Sequence, residues 1–240
     1  MYPQRRMVRQ ALRLGLLVTL FVLALSACGG GGGGEQQQAN QQAKGRPLPK
    51  GEDYLPAGPY HTTVFEPSFS FRITADGWSM EGPSGTHGDP SRPDYLFFHP
   101  NSESEIAFFN LRKLKGVYKP GGPKGEIEPV PAPDELVGWF QHHPYLETSK
   151  PEPISVGGVK GVQFDVVTVN LQDNDCSVHI FALSTGGPSE VFCLNQEHYI
   201  VLKDVKGVPV VIYYNAVKDH FDKFVPVAEK VLQSVEWTGT

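Results

Sequence analysis

The chain has 240 residues and a net charge of −5 at pH 7 with histidine neutral. Subtracting the four arginines of the first 27 residues leaves about −9, and a surface of that sign repels phosphate, which argues against nucleic-acid binding. About 190 residues lie beyond the low-complexity N-terminal part, enough for one packed core and too few for two.

The N-terminus has the three-part layout of a secretory signal peptide. Four arginines precede an apolar run from Leu14 to Leu25, which is shorter than the roughly 20 residues that span a bilayer. The run ends at Leu25-Ser26-Ala27-Cys28, which resembles the lipobox of bacterial lipoproteins. This resemblance implies cleavage before Cys28 and a lipid on that cysteine. The alternatives are an ordinary signal peptide cut after Ala27, which leaves a free thiol, and a short uncleaved anchor.

A flexible tether is predicted after Cys28. Gly29 to Gly34 is an unbroken glycine run, and Glu35 to Ala43 is almost wholly Gln, Asn and Ala, so neither stretch can bury a core. As a coil, the stretch from Gly29 to Lys50 has a root-mean-square reach of about 25 Å. We therefore predict a signal peptide over residues 1–27, the lipidated cysteine and tether over 28–58, and one globular domain over 59–240.

The two remaining cysteines are expected in an oxidising compartment. A disulfide between Cys176 and Cys193 is the preferred interpretation, and it closes a loop of about 18 residues, worth about 3 kcal/mol in the chain-entropy model. A two-thiol metal site and two buried free thiols are the alternatives. A simple hairpin turning at Gly186-Gly187 places Cys193 opposite Ile180, so the disulfide needs a bulge, a longer return or an adjacent strand.

The sequence pattern in the first half of the domain predicts strands and one helix. Phe69 to Ile73 alternates apolar and polar residues and ends at a turn, and Tyr95 to His99 with Glu105 to Leu111 predicts a hairpin. The stretch from Lys115 to Pro133 is rich in proline and glycine and predicts a long irregular excursion. Pro133 then opens a short helix that Pro144 ends.

The second half predicts an antiparallel meander and a closing helix. Lys206-Gly207 forms a tight turn between the last two strands, and Pro226 is expected to split or restart the amphipathic helix that follows. The result is an α+β fold, an antiparallel sheet with a mid-chain helix and a C-terminal helix packed on it. The predicted strands are Lys160–Asn170, Cys176–Leu183, Glu190–Leu194, His198–Val205 and Val208–Tyr214.

Several of these segments resemble the PsbP-like fold. They are Phe69-Ser70-Phe71 leading into Asp76-Gly77-Trp78, the strand from Val208 to Tyr214, and the helix end from Val231 to Val235. The PsbP-like family includes the extrinsic photosystem subunit and many small bacterial lipoproteins. The resemblance implies an α+β sandwich and an accessory or binding role without catalysis, and the Pro-rich excursion departs from it.

No motif predicts a catalytic or metal centre, and no cofactor is expected. His142 and His143 point about 100° apart on a helix and are interpreted as solvated surface. His179 and His198, with Glu197 adjacent, form at most a partial metal site. Asp173-Asn174-Asp175 lacks the Gly and Glu that an EF-hand calcium loop requires, and it predicts a turn.

Dense aromatic residues are the remaining lead. The neighbours Phe97-Phe98 and Phe108-Phe109 must point to opposite faces of a sheet, so both faces are partly apolar. One interpretation covers one face with the terminal helix and the other with the mid-chain helix or the long loop. The sharper interpretation is an apolar cleft for a lipid, a glycan or a partner peptide. Its candidate lining is Trp78, Phe97, Phe108 and Trp139.

We therefore expect a non-enzymatic binding or accessory module, held by a lipid at the extracytoplasmic face of the cell membrane. Its expected partner is a protein or a small apolar ligand. The rival hypothesis is a cell-envelope hydrolase whose active site is assembled by the fold. A convergent polar cluster in a cleft favours the hydrolase, and a smooth apolar groove favours binding.

Overall fold

The computed structural model describes residues 45–49, 54–80, 93–101, 103–120, 126–169, 178–184, 191–192, 196–217 and 219–238. The predicted signal peptide, Cys28, Cys176, Cys193 and the turn Asp173–Asp175 lie outside the described residues. Within the described ranges, no helix has the length and apolar character to cross a membrane.

A nine-stranded antiparallel sheet forms the centre of the domain. Its middle is the hairpin that carries the predicted Lys206-Gly207 turn, where both residues have positive φ, as a two-residue turn of this kind requires. In spatial order the strands are β10 (Leu146–Thr148), β12 (Val159–Thr168), β16 (Gln196–Val205), β17 (Val208–Ala216), β7 (Ser104–Asn110), β6 (Tyr95–Asn101), β5 (Trp78–Ser79) and β2 (Tyr54–Leu55), and β11 (Glu152–Val156) also pairs with β12.

Smaller sheets and two helices complete the fold. One four-stranded sheet consists of β1 (Arg46–Pro47), β3 (Gly58–His61), β4 (Phe69–Ile73) and β18 (Glu236–Trp237), with β1 parallel to β3. The other strands are β8 (Gly116–Tyr118), β9 (Ile127–Glu128), β13 (Val178–His179), β14 (Phe181–Ala182) and β15 (Val191–Phe192). The helices are α1 (Pro133–Gln141) and α2 (Phe221–Gln233). The predicted α+β class with a mostly antiparallel sheet is confirmed.

The central sheet has a hydrophobic core on each face. The first core joins it to the four-stranded sheet and to α2, and the second core joins it to α1, β8, β13 and β14. The alternation in β6 and β7 divides the aromatics as predicted, because Phe98 and Phe108 enter the first core while Phe97 and Phe109 enter the second. Each central strand is therefore apolar on both sides.

The predicted meander is wrong in its middle part. Strands β12 and β16 pair directly. The described strands between them lie outside the central sheet, since β13 pairs with β15 and β14 with β8. The physical reason is that Val178, Ile180 and Phe181 are buried against the second core, where they cover the sheet instead of extending it.

This rearrangement also changes the register on which the disulfide argument depended. Val178 lies opposite Phe192 and His179 opposite Val191, which differs from a hairpin turning at Gly186-Gly187. Cys176 and Cys193 themselves lie outside the described residues, so their pairing stays a prediction.

The Pro-rich excursion and the helix around Pro226 differ from expectation. The Pro-rich excursion contains β8 and β9, because a side chain at Gly116 would lie 2.3 Å from the Glu128 carbonyl oxygen, so glycine is what allows the two strands to approach. The helix α2 continues through Pro226. Burial of Phe224 and Ala228 on either side of the proline holds the turns together although one backbone hydrogen bond is lost.

Strands β1 and β2 precede residue 59, the predicted start of the globular domain. Strands β1 and β2 belong to sheets of the domain, and Leu48 and Leu55 are buried. The Arg46 guanidinium donates to the carbonyl oxygens of Pro56 and Ala57 at 2.9 and 2.8 Å and lies 4.5 Å from the ring centre of Tyr60. The last part of the expected tether is thus fixed to the edge of the four-stranded sheet, because it carries polar side chains that form hydrogen bonds and apolar side chains that are buried.

Two glycines give opposite stability predictions. A Cβ atom at Gly161 would lie 2.4 Å from the Val201 carbonyl oxygen, whereas one at Gly138 in α1 would meet nothing within 4 Å. We expect Gly161→Ala to lower the free energy of unfolding by about 1–3 kcal/mol through overpacking. Gly138→Ala should raise it by about 0.5–1 kcal/mol through helix propensity. Urea unfolding of both variants measures the difference, and a common sign would contradict this packing.

Candidate functional site

A polar cavity of about 290 Å³ opens on the sheet face that carries the first core, beside β12 and β16. Asp165 lies directly opposite His198 in the strand register, and Gln163 is two residues away on the same face of β12. The break between β10 and β11 supplies the other side of the cavity. Its lining residues are Ser149, Lys150, Glu152, Gln163, Phe164, Asp165 and His198.

The imidazole of His198 is held on three sides. Its Nδ1 lies 2.7 Å from Asp165 Oδ1, and its Nε2 lies 3.1 Å from Gln163 Oε1. Its ring stacks on Tyr214, with centroids 4.9 Å apart and planes 23° apart. Both ring nitrogens are therefore engaged by neighbouring side chains, and neither is free to accept a proton from a nucleophile.

The cavity presents charges of both signs to solvent. The side chain of His198 is 12% exposed, while that of Asp165 is 32% exposed. The Ser149 Oγ accepts the Asp165 backbone N–H at 2.8 Å, which fixes the Ser149 side chain to β12. Lys150 forms no ion pair with any residue in the described part of the chain, and Glu152 lines the same space.

A second polar cluster lies on the opposite face, at the end of the second core. Glu197, Asn215 and Glu105 follow one another across three neighbouring strands. The Tyr199 hydroxyl donates to Glu197 Oε2 at 3.0 Å, and the Tyr213 hydroxyl donates to Glu105 Oε1. This cluster is a row of polar groups beside a row of buried aromatics.

Glu197 is the most unusual member of that row. It is fully buried, and its Oε1 has no hydrogen-bond partner among the described residues. Burial raises the pKa of the Glu197 carboxyl well above its usual range, and the neighbouring Glu105 carboxylate adds to the increase. On the same row, His99 Nε2 lies 3.0 Å from Glu105 Oε2. The Glu197 side chain is therefore not exposed at the protein surface.

The adjacent histidines that follow α1 have different environments. His142 is exposed, whereas His143 is buried and accepts the Tyr145 N–H at Nδ1 over 3.3 Å. Burial lowers the pKa of His143 to about 4, which agrees with a neutral ring that accepts a hydrogen bond. The expectation of a solvated surface therefore holds for His142 and is wrong for His143, because Pro144 turns the chain and returns the ring toward the core.

The four residues expected to line an apolar cleft do not meet. Trp78 and Phe108 are buried in the first core, while Phe97 is buried in the second. Trp139 is half-buried against the second core and donates from Nε1 to Glu128 Oε1 at 2.8 Å, so it does contact the Pro-rich excursion. The central sheet separates the two pairs, and the aromatic surface is used in packing.

The residues of a conceivable histidine metal site are also separated. His198 is on the first-core face of β16, its neighbour Glu197 points to the other face, and His179 lies on β13. Over the described ranges, no group of three or more His, Cys, Asp and Glu side chains is arranged to hold a metal ion.

Comparison with known proteins gives a likeness of fold only. No family model and no curated protein matches the chain. The chain is similar to the solution structure of cyanobacterial PsbP (CyanoP) from Synechocystis sp. PCC 6803, with 10% identity, a TM-score of 0.39, and 76% of this chain and 94% of that chain covered. It is also similar to the crystal structure of LpqN, involved in cell envelope biogenesis of Mycobacterium tuberculosis, with 10% identity, a TM-score of 0.29, and coverages of 77% and 89%.

The raised pKa of Glu197 predicts a pH-dependent effect of Glu197→Gln. An unfolded chain ionises this carboxyl near 4.5, while the folded chain keeps it neutral to higher pH, so the stability contributed by the native carboxyl is lost as pH rises above about 4.5. Glutamine does not titrate. We expect the stability of Glu197→Gln relative to the native protein to increase between pH 5 and pH 8, as measured by urea unfolding.

The matched control is Glu229→Gln on the exposed side of α2. Its carboxylate is in water in both the folded and unfolded states, so the difference from the native protein should stay flat over the same pH range. A flat difference for Glu197→Gln would show that Glu197 ionises freely in the folded protein.

Proposed function

We propose that this protein is a non-enzymatic binding module that takes a small polar ligand in the Asp165–His198 cavity. The observation that carries the proposal is the double engagement of the His198 imidazole by Asp165 and Gln163. A histidine that activates a nucleophile needs one ring nitrogen free to accept a proton. Here both are occupied, so the histidine organises the cavity and does not act as a base.

The polar cavity replaces the apolar cleft as the ligand-binding surface. A convergent polar cluster was the feature expected of a hydrolase, and its arrangement opposes that role, because Ser149 Oγ accepts from the backbone of Asp165 and is not paired with the imidazole. The apolar ligand loses its support, since Trp78, Phe97 and Phe108 are buried in packing.

The proposal also includes an extracytoplasmic location with a lipid on Cys28. Its support is the sequence, in which a basic segment, a short apolar run and Leu-Ser-Ala-Cys precede a glycine-rich tether. The PsbP-like assignment belongs to the same proposal and is supported by the segments from Phe69 to Trp78 and from Val208 to Val235. A bound lipid would keep the cavity within about one domain width of the membrane.

The lipid is tested by replacing its attachment site. We expect Cys28→Ala to abolish metabolic labelling with radioactive palmitate and to release the protein from the membrane fraction, because the thiol that carries the lipid is lost. Cys176→Ala is the control and should keep both the label and the membrane association. Label that persists in Cys28→Ala, or its loss in both variants, would contradict lipidation at Cys28.

The binding function is tested by native mass spectrometry of the full chain extracted from membranes in a mild detergent. We expect a non-covalent adduct of a small polar molecule. We expect Asp165→Asn to lose this adduct, because the substitution replaces one carboxylate oxygen of Asp165 with an amide group that donates hydrogen bonds. His142→Asn, which changes an exposed histidine outside the cavity, should keep it. An adduct-free native spectrum, a lipid adduct or an adduct that survives Asp165→Asn would overturn ligand binding at this cavity.

A further inference from the structure

A further cavity, of about 280 Å³, lies between the turn that joins β6 to β7 and the first two turns of α2. It is formed by the end of β6, the start of β7 and one side of the helix, and it shares no lining residue with the Asp165–His198 cavity. Its lining residues include Asn101, Ser104, His220, Lys223, Phe224 and Val227.

The helix side of this cavity is apolar. Phe224 is buried, and its ring meets Tyr214 edge to face with centroids 6.3 Å apart, so the first core holds the ring in place. Val227 is half-buried and packs against the same core. Because residues three apart lie on one side of a helix, Phe224 and Val227 form one apolar surface that can contact the hydrocarbon part of a ligand.

The strand side of the cavity carries hydrogen-bonding groups. Ser104 is 4% exposed, and no group in the described part of the chain is hydrogen-bonded to its hydroxyl. Asn101 Oδ1 accepts the Glu103 backbone N–H at 2.8 Å. Since that partner can only donate, the amide oxygen faces it and the Asn101 Nδ2 group keeps its N–H donors. A buried hydroxyl is costly unless it is paired, so a ligand that bonds to Ser104 gains affinity.

Lys223 gives the cavity a positive charge. Within the described ranges its ammonium forms no ion pair, and no Asp or Glu side chain lines the cavity. Glu103, which lies outside the lining, is ion-paired with His220 Nδ1, and Asp222 also lies outside it. Lys223 is in the first turn of α2, where the helix dipole disfavours a cation. An anion in the cavity would compensate both the unpaired ammonium and its unfavourable place on the helix.

We propose that the cavity between the β6–β7 turn and α2 binds a small monocarboxylate with an apolar body. The carboxylate contacts Lys223, the Ser104 hydroxyl and the Asn101 amide, and the hydrocarbon part lies on Phe224 and Val227. The volume of about 280 Å³ limits the ligand to about nine non-hydrogen atoms, at about 30 Å³ for each water-sized group. Hexanoate is within this limit. The site is separate from the Asp165–His198 cavity and does not depend on the function proposed for it.

Four small molecules separate the two parts of this ligand. Hexanoate carries the anion and the hydrocarbon chain, acetate only the anion, hexanamide only the chain, and hexylammonium the chain with the opposite charge. We expect an amide proton–nitrogen NMR titration of the full chain in nonionic detergent micelles to shift the signals of Ser104 and Phe224 with hexanoate. Its dissociation constant should be about tenfold or more below those of the other three, since losing a charge-assisted hydrogen bond or several buried methylene groups costs about that factor.

Matched lysine variants connect this preference to the cavity. Lys223→Gln should raise the dissociation constant for hexanoate about tenfold and leave that for hexanamide unchanged. Lys230→Gln removes an exposed lysine from the last turn of the same helix, outside the cavity, and should change neither. Ser104→Ala should weaken hexanoate binding about threefold or more, because one hydrogen bond to the carboxylate is lost. Circular dichroism of the three variants verifies that they are folded.

Several outcomes would overturn the monocarboxylate site. They are binding of acetate, hexanamide or hexylammonium as tight as that of hexanoate, an unchanged hexanoate affinity in Lys223→Gln, an equal loss in both lysine variants, and the absence of any shift at Ser104 and Phe224. Asp165→Asn should leave hexanoate binding as it is. A reduced hexanoate affinity in Asp165→Asn would assign hexanoate to the Asp165–His198 cavity instead, whereas loss of the polar adduct alone concerns only the function proposed for that cavity.

Discussion

The burial of both faces of the β16–β17 hairpin is the constraint on which the rest of the fold depends. Alternate residues enter different cores, so that Ile212 belongs to the first core and Tyr213 to the second. A sheet that is apolar on both sides must be covered on both sides. The four-stranded sheet and α2 cover one face, and α1 with the segment from Val178 to Leu183 covers the other.

The same alternation places two polar centres on opposite faces of one strand. Glu197 and His198 are neighbours in sequence but face opposite sides of β16. Glu197 is enclosed with Tyr199 beside the second core, whereas His198 lies with Asp165 in the cavity that opens to solvent. Burial makes the charged form of the enclosed carboxyl costly and raises its pKa. The Asp165–His198 pair is partly exposed and lies beside Gln163, so the two polar centres differ in their access to solvent.

The parts predictable from the sequence are those with a local cause. The strand Phe69–Ile73, the hairpin of β6 and β7, the start of α1 and the Lys206-Gly207 turn follow from periodicity, proline and glycine. The cavity does not, because Asp165 and His198 are 33 residues apart and meet only through the pairing of β12 with β16. Periodicity alone places the intervening strands in the same meander, between β12 and β16. It therefore does not predict that β12 and β16 pair directly. Within β12, alternating Gln163 and Asp165 on one face was the available signal.

The attachment of β1 to β3 has a mechanical consequence. The chain enters β1 from the tether, and β1 runs parallel to β3 while Arg46 is fastened to Pro56 and Ala57. With Cys28 lipidated as proposed, a force from the membrane acts along β1. This force shears the backbone hydrogen bonds between β1 and β3 and the Arg46 contacts at the same time. The load enters the four-stranded sheet, whereas the Asp165–His198 cavity belongs to the nine-stranded one. Tension on the anchor is thereby directed away from the strands that shape the cavity.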